Sequence, residues 1–257
     1  MISLEHIDKV FYPGSVNENV LFSDFNFSFP KGEFVSVVGS NGSGKTTMLN
    51  LIAGSLPVEG GKIFLDGEDI TRVPEYRRAR RIGRVFQNPA FGTVPDMTVE
   101  ENLALAENKG KHYRLSFALQ PKRRAAYREM VRELGLGLED KMQSPVGNLS
   151  GGQRQALSLI MTTLTPLDLL LLDEHTAALD PKTAEIIMQI TDRVVREKHL
   201  SALMVTHNLR YAVEYGDRLL MMDKGKIIIN SAGEEKKKLR VEDILDRFNA
   251  ISIECGN

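Results

Sequence analysis

Residues 33–54 read EFVSVVGSNGSGKTTMLNLIAG, and this stretch decides the fold. Its apolar beginning predicts a short strand that is buried on both faces. The segment GSNGSGKTT, residues 39–47, fits the pattern G-x-x-x-x-G-K-[ST], and a helical pattern follows as far as Gly54. A loop of this kind between a strand and a helix (the P-loop) points backbone N–H groups at phosphate oxygens. The stretch therefore predicts an α/β fold that binds a nucleotide.

Two side chains of the P-loop carry specific chemistry. Lys45 would reach the β- and γ-phosphates, and the Thr46 hydroxyl would ligate Mg²⁺. A merely flexible turn is the alternative, but the strand before the loop, the helix after it and every fixed position favour phosphate binding. The predicted nucleotide-binding residues are Gly39, Ser40, Asn41, Gly42, Ser43, Gly44, Lys45, Thr46 and Thr47.

Polar residues stand at the ends of three further predicted strands. In LLLLDEH, residues 169–175, Asp173 ends an apolar run, where a bare carboxylate is costly unless it is paired or near a cation. We expect Mg²⁺ to be that cation, and we expect Glu174 to polarise an attacking water. Gln87 in RVFQNP and His207 in MVTHNL could each donate a hydrogen bond to water or to the γ-phosphate. Each of these four residues could also be an ordinary polar residue at a strand end.

The segment LSGGQRQ, residues 149–155, begins a predicted helix. Ser150 and Gln153 fit a capping box, in which each side chain satisfies a backbone N–H group at the start of the helix. A cap requires neither Gly151 nor Gly152, and a glycine inside a helix costs about 1 kcal/mol relative to alanine. We therefore expect another group to come very close to the backbone here.

The order of the predicted elements indicates one α/β domain. Strand patterns occupy the first third and the last third of the chain, and a helical insertion of about 75 residues separates them. The pattern predicts an antiparallel pair of strands before residue 30, and a hairpin that turns at Lys224 and Gly225. It also predicts a capping box at Thr98 and Glu101, a helix that begins at Pro121, and an N-cap at Asp180.

The composition excludes several classes of protein. The chain has 257 residues and a net charge of -1, so it carries no overall bias toward nucleic acid or anionic lipid. Its longest apolar run is too short to cross a membrane, and the charged N-terminal segment does not fit a signal peptide. The single cysteine, Cys255, excludes a disulfide framework and fits a reducing cytoplasm.

Six motifs occur in order along the chain: GSNGSGKT, VFQN, LSGGQRQ, LLLLDE, ALD and VTH. This series resembles the nucleotide-binding subunit of an ATP-binding cassette (ABC) transporter over nearly the whole chain. The resemblance implies a P-loop NTPase (RecA-like) core with a mostly parallel sheet at residues 1–87 and 164–257, an N-terminal antiparallel β portion, and a helical signature subdomain at residues 88–163. It implies ATP and Mg²⁺ as cofactors. It assigns catalysis to Glu174, His207, Gln87 and Lys45, and metal ligation to Thr46, Gln87 and Asp173.

The same resemblance implies a head-to-tail homodimer. Its signature residues would contact the ATP that is bound by the partner's P-loop, and its D-loop would lie between the subunits. An aromatic ring near the N-terminus would stack on adenine, with Phe11 as the first candidate and Tyr12 as the second; strand alternation would bury one of the two. The signature residues are Ser150, Gly151, Gly152 and Gln153, and the D-loop residues are Ala178, Leu179 and Asp180.

By resemblance, the protein would work at the inner face of the cell membrane with a separate permease and an extracytoplasmic solute-binding protein. Several segments resemble cassettes for uptake of amino acids such as tryptophan or tyrosine. The segment NPAFGTVPDMTVE, residues 88–100, would meet the permease if its apolar side chains Phe91, Val94, Pro95 and Met97 are exposed, and would be core if they fold inward. Alternatives are a soluble cassette that acts on nucleic acid or ribosomes, although no nucleic acid is expected, and a P-loop kinase or GTPase, which leaves LSGGQ unexplained.

Two features depart from simple expectations. His175 follows the predicted catalytic glutamate where related chains usually have proline; a histidine does not fix φ, keeps its amide and can titrate near neutrality. The basic segment RRARRIGR, residues 77–84, could bind nucleic acid or an anionic membrane surface. A solvated basic face is the favoured interpretation, because acidic residues balance the total charge.

Overall fold

The computed structural model describes residues 1–110 and 121–254, and Cys255 lies outside them. The chain forms two compact units, one of Met1–Ala79 with Lys198–Asn257 and one of Arg80–Glu197. The helical subdomain predicted for residues 88–163 falls within the second range, and its bounds stay a prediction. Within the described residues, no helix has both the length and the hydropathy needed to span a bilayer.

The elements alternate between strands and helices along most of the chain, as the sequence predicts. The strands are β1 (Ile2–Phe11), β2 (Asn19–Phe29), β3 (Phe34–Gly39), β4 (Gly60–Leu65), β5 (Glu68–Asp69), β6 (Ile82–Val85), β7 (Leu169–Asp173), β8 (Ser201–Val205), β9 (Arg218–Asp223) and β10 (Lys226–Ala232). The helices are α1 (Lys45–Ala53), α2 (Glu75–Arg78), α3 (Val99–Glu107), α4 (Pro121–Arg132), α5 (Gly151–Thr163), α6 (Pro181–Glu197), α7 (Leu209–Glu214), α8 (Gly233–Lys238) and α9 (Val241–Glu254).

The first unit contains an antiparallel sheet and a mainly parallel group of strands. In the antiparallel sheet β1 lies between β2 and β4, which confirms the predicted N-terminal pair. In the other group β3 runs parallel to β8 on one side and to β9 on the other. The β9–β10 hairpin turns at Lys224 and Gly225, as predicted, and their φ values of 43° and 76° match the turn type that suits a two-residue hairpin.

Strand β3 is buried along its whole length, which explains its nearly continuous apolar sequence. A strand with neighbours on both edges and packed side chains on both faces has no side facing water. This burial fixes the end of β3, and therefore the start of the P-loop, on a rigid base. The side chain of Val38 in β3 belongs to a fully buried cluster with Ala212, Leu219, Met221 and Ile244.

The second unit contains the parallel pair β6 and β7 together with α3, α4, α5 and α6. The capping box at Thr98 and Glu101 is confirmed at the start of α3, and α4 begins at Pro121 as predicted. Helix α6 begins at Pro181, where the Asp180 carboxylate accepts a hydrogen bond of 3.1 Å from the Thr183 N–H group. This is the bond expected of an N-cap residue.

The prediction of a solvated basic face at residues 77–84 is wrong for Arg78. This side chain is only 5% exposed and donates to backbone carbonyl groups. Arg81 pairs with Asp168 at 2.5 Å, and Arg84 pairs with Asp173 at 2.6 Å. The physical reason is that helix-end carbonyl groups and strand-end carboxylates of other segments attract cationic side chains in a packed protein.

Candidate functional site

The P-loop of the first unit connects β3 to α1 in a conformation that requires glycine. Gly42 and Gly44 have φ values of 77° and 104°, a region that favours glycine. A Cβ atom on Gly44 would also lie 2.8 Å from the ring of Phe22, so the loop backbone packs directly on that ring. Both glycines therefore serve the loop's shape, and Gly44 also allows its close approach to β2.

Lys45 lies inside the curve of the P-loop. Its side chain is 5% exposed, and its Nζ donates hydrogen bonds of 2.8 Å to the carbonyl oxygens of Gly39 and Ser40. The Thr46 side chain, by contrast, is exposed. A phosphate at this loop would meet the lysine charge together with the N-terminus of α1, and both favour an anion.

A cavity of about 270 Å³ in the first unit brings two of the predicted motifs together. One wall is the start of the P-loop, residues 39–41, and another is Thr206 and His207 at the end of β8. The His207 side chain is exposed there. This placement of His207 beside the P-loop is compatible with the predicted hydrogen bond to the γ-phosphate, which stays a prediction.

Both candidate adenine-stacking residues are accessible. Tyr12 is 71% exposed, and Phe11 is half-buried with the Lys9 ammonium 5.2 Å from the centre of its ring. The expectation that strand alternation buries one of them is wrong, because β1 ends at Phe11 and Tyr12 lies in the turn beyond it with a φ of 53°. The choice between the two rings stays a prediction.

In the second unit, Asp173 has the cationic partner that its position demands. Its Oδ2 accepts a hydrogen bond of 2.6 Å from the Nη2 of Arg84, and the two side chains are 13% and 14% exposed. The guanidinium of Arg84 also lies 4.7 Å from the ring centre of Phe86. A carboxylate has two oxygens, so an ion pair through Oδ2 is compatible with a further role for Oδ1.

The residues after Asp173 form a constrained turn. Glu174 has a φ of 48°, a strained value for a residue with a side chain, and its carbonyl accepts a hydrogen bond of 2.9 Å from the Ala177 N–H group. His175 is 2% exposed, and burial lowers its pKa to about 4. Titration of His175 near neutrality is therefore excluded.

Instead, His175 acts as a neutral anchor. The Thr191 hydroxyl donates to the Ile187 carbonyl at 2.8 Å, so it accepts the 3.0 Å hydrogen bond from the Nε2–H of His175. This bond fixes the imidazole tautomer and ties the turn after β7 to α6. The buried histidine thus restrains this turn through a hydrogen bond to another element, whereas a proline would restrain it by fixing φ.

Gln87 follows β6 and its side chain is exposed. The strand end before it is held by α5, because the Gln155 side-chain amide donates to the Phe86 carbonyl at 3.1 Å. Gln155 is only 1% exposed. The signature helix and the segment that leads to Gln87 are thus directly bonded to each other.

The signature segment begins α5 with the predicted capping box. The Ser150 hydroxyl accepts from the Gln153 N–H at 3.2 Å, and the Gln153 side-chain oxygen accepts from the Ser150 N–H at 3.1 Å. Gln153 is fixed further, because Lys141 donates to it at 3.1 Å and it donates to the Leu136 carbonyl at 2.9 Å. The helix start is therefore rigid.

The close approach expected at the two glycines is present within the chain at Gly152. A Cβ atom there would lie 2.2 Å from the Thr183 methyl carbon at the start of α6. At Gly151 it would meet only Leu179 of the D-loop, at an ordinary distance of 3.4 Å. Packing against α6 therefore explains Gly152, whereas Gly151 retains space for another group to approach.

Each unit thus gathers part of the predicted set. The first unit contains Lys45, Thr46 and His207, and the second contains Gln87, Asp173, Glu174 and the signature residues. Sequence reasoning placed Arg84 in the basic segment of residues 77–84 but did not find its contact with Asp173. It also did not find Asp223, which accepts a hydrogen bond from Ser40 of the P-loop.

Comparison with solved structures defines the class of protein. One similar structure is a dimeric ATP-binding cassette in a post-hydrolysis state bound to ADP and phosphate, with a TM-score of 0.76, 28% identity, and coverage of 90% of this chain and 98% of that one. Another is a nucleotide-free ATP-binding cassette from an ABC transporter, with a TM-score of 0.77, 25% identity, and coverage of 100% and 99%. The fold is that of an ATP-binding cassette with an α/β P-loop NTPase core.

The sequence comparisons agree with this class. The ABC transporter family model matches residues 22–177. The chain therefore belongs to the ABC transporter family and is an ATPase of the cassette type. It is 46% identical to a tyrosine transport ATP-binding protein of Clostridioides difficile, over 96% of this chain and 98% of that one. It is 36% identical to a methionine import ATP-binding protein of Bacillus thuringiensis, over 89% of this chain and 65% of that longer one.

Proposed function

We propose that this chain is the ATP-hydrolysing subunit of an amino-acid importer, with tyrosine or a similar aromatic amino acid as its first candidate cargo. The observation that carries the proposal is the 46% identity, over almost the full length of both chains, to a protein named for tyrosine transport. The similarity to a methionine import protein supports amino-acid import more broadly. The cargo itself would be contacted by other chains of the transporter.

The proposed chemistry gives every predicted catalytic and metal-binding residue a task. Lys45 and the P-loop amides bind the phosphates of ATP, and Glu174 accepts a proton from the attacking water. Gln87 and His207 donate hydrogen bonds near the γ-phosphate. The candidate metal ligands Thr46, Gln87 and Asp173 all offer oxygen, which is the donor that Mg²⁺ prefers, and a bound Mg²⁺ would neutralise charge on the phosphates.

The signature segment would act on a second ATP in a head-to-tail homodimer. Ser150, Gly151, Gly152 and Gln153 stand at the N-terminus of a helix, which attracts phosphate, and the D-loop residue Leu179 packs beside Gly151. The P-loop supplies the chain's own nucleotide site, so a second phosphate-binding helix start favours a partner's nucleotide. The similar solved structure with ADP and phosphate is itself dimeric.

Ser150→Ala tests this role against simple capping. We expect the free energy of unfolding to fall by about 1 kcal/mol, as for other caps. We also expect ATP-driven dimerisation to weaken by about tenfold, because a hydrogen bond to a charged phosphate is lost. Thr98→Ala is the matched control, since it removes the other capping box of the same unit. Light scattering with ATP measures the dimer, and equal dimerisation in both variants would leave Ser150 with a capping role alone.

The segment after Gln87 is the candidate surface for the membrane partner. Phe91 is 76% exposed, Val94 is 36% exposed, and Pro95 is exposed beside them. Apolar side chains grouped on a surface favour an interface. We propose that a permease binds here on the cytoplasmic side of the membrane, and that an extracytoplasmic solute-binding protein delivers the cargo to that permease.

Reconstitution with a candidate permease tests the whole proposal. The complex in nanodiscs, supplied with a solute-binding protein, should hydrolyse ATP faster when tyrosine is added. Lys45→Ala should lower ATP affinity about tenfold or more, since a charge-assisted contact with phosphate is lost, and should abolish the stimulation. Unchanged ATP affinity would contradict the assignment of the P-loop as the ATP site. Stimulation by nucleic acid or ribosomes, with none by amino acids, would contradict import.

A further inference from the structure

The hairpin between β9 and β10 contacts the P-loop at three successive places. A Cβ atom on Gly39 would lie 2.2 Å from the Met222 carbonyl oxygen, so the two backbones touch at the start of the loop. The Ser40 hydroxyl donates to the Asp223 carboxylate at 2.7 Å. The Gly225 N–H donates to the Ser43 carbonyl at 3.0 Å.

The turn of the hairpin packs directly against the backbone of β2, with no room for a side chain between them. A Cβ atom on Gly225 would lie only 1.7 Å from the Leu21 carbonyl oxygen, and Gly225 itself is buried. The next residue of β2, Phe22, has its ring against Gly44 at the other end of the P-loop. The P-loop is therefore held between the hairpin turn and β2, all within the first unit.

One contact of this arrangement involves a carboxylate and a side chain of the P-loop. The Ser40 hydroxyl has a single proton, and it uses that proton to donate a hydrogen bond to Asp223. The Ser40 carbonyl in turn accepts a hydrogen bond from Lys45 at 2.8 Å. Asp223, Ser40 and Lys45 thus form a chain of hydrogen bonds from the hairpin to the lysine that would meet the phosphates.

We propose that Asp223 is a positioning residue for ATP binding: its bond to Ser40 holds the P-loop in the shape that receives the phosphates. This rests on the P-loop as the ATP site. A loop that is already ordered loses less conformational entropy when the ligand binds, so its affinity is higher. The opposing effect is the negative charge of Asp223, which would repel phosphates if it lay close enough to them.

Five variants, one of them a control, separate these effects through the dissociation constant of a fluorescent ATP analogue. Ser40→Ala and Asp223→Ala should each weaken binding about tenfold, and the double variant should be no weaker than the weaker single one, because both remove the same bond. Asp223→Asn should stay within about threefold of the unchanged protein, since its amide oxygen still accepts from Ser40. Asp246→Ala, which removes an exposed carboxylate of α9, should have no effect.

The turnover number and the melting temperature complete the test. We expect the KM for ATP to follow the dissociation constant while kcat stays within about twofold, as expected when only binding is lost. Three results would each overturn the proposal. The first is a double variant whose loss of affinity is the product of the two single losses. The others are an unchanged dissociation constant despite a lower melting temperature, and tighter ATP binding in both Asp223 variants. Lys45→Ala is the reference: if it leaves ATP affinity unchanged, the ATP site is misassigned and the Asp223 variants should also have no effect.

Discussion

Glu174→Gln should lower the turnover of ATP by about 10²–10⁴-fold, which is the contribution typical of a positioned general base. The amide nearly matches the carboxylate in size but does not accept a proton from water. ATP should still bind, so the variant should accumulate as an ATP-bound dimer. Phosphate release, ATP affinity and light scattering measure these three properties separately.

The local structure explains why we expect this loss to be so large. The backbone of Glu174 is held at a φ of 48°, and strained backbone of this kind is concentrated at functional sites. The buried His175 next to it is bonded to Thr191, which fixes where the turn can go. Because the turn fixes the position of residue 174, we expect Glu174→Gln to lower turnover by removing the proton acceptor and not by displacing the backbone.

Glu197→Gln provides the control for the loss of one carboxylate, because Glu197 is exposed at the end of α6 in the same unit. It should hydrolyse ATP at the original rate. If Glu174→Gln does so as well, the base is another group. If Glu174→Gln fails to bind ATP, the variant has disturbed the fold, and its rate says nothing about the base.

The fold followed from the sequence wherever a local rule determined an element. The capping boxes at Thr98 and Ser150, the stop of α1 at Gly54 and the hairpin turn at Gly225 all depend on residues a few positions apart. Such rules need no knowledge of distant contacts, and each was confirmed. The roles of the site residues depend on a bound nucleotide and stay predictions.

What the sequence did not reveal depends on contacts between distant segments. The burial of His175 requires α6 to pack over the turn, and the approach at Gly152 requires Thr183, thirty-one residues later in the sequence. Arg84 meets Asp173 because β6 and β7 are paired in a register that only the sheet defines. In each case the residue type was visible, but its partner was not.

Arg78 is the clearest example, because the sequence does not distinguish a solvated arginine from a buried one. In the structure its guanidinium donates to four carbonyl oxygens, those of Val73, Leu51, Ile52 and Thr71, at 2.7, 2.8, 2.9 and 2.9 Å. Two of these acceptors belong to the last turn of α1, whose carbonyls have no partners inside the helix. Burial lowers the pKa of Arg78, yet the group stays charged at any ordinary pH.

Arg78→Met should therefore be strongly destabilising. The methionine keeps part of the apolar stem but leaves buried carbonyl groups without a donor, and each such group costs about 1–3 kcal/mol. Allowing for partial relaxation, we expect a loss of about 3–5 kcal/mol in the free energy of unfolding, the range found when one member of a buried charged interaction is removed. For a chain of this size, that lowers the melting temperature by roughly 6–20 °C.

The neighbouring residue offers a matched control. Arg77 is exposed, with its guanidinium 5.8 Å from the ring centre of Tyr76, so Arg77→Met should change the free energy of unfolding by less than about 0.5 kcal/mol. Urea denaturation of both variants measures the difference. Because α1 carries Lys45 at its other end, Arg78→Met should also weaken ATP binding, by disordering the helix that presents the phosphate site. Equal stability of the two variants would mean that the carbonyls of α1 find other donors, and the cap assigned to Arg78 would be withdrawn.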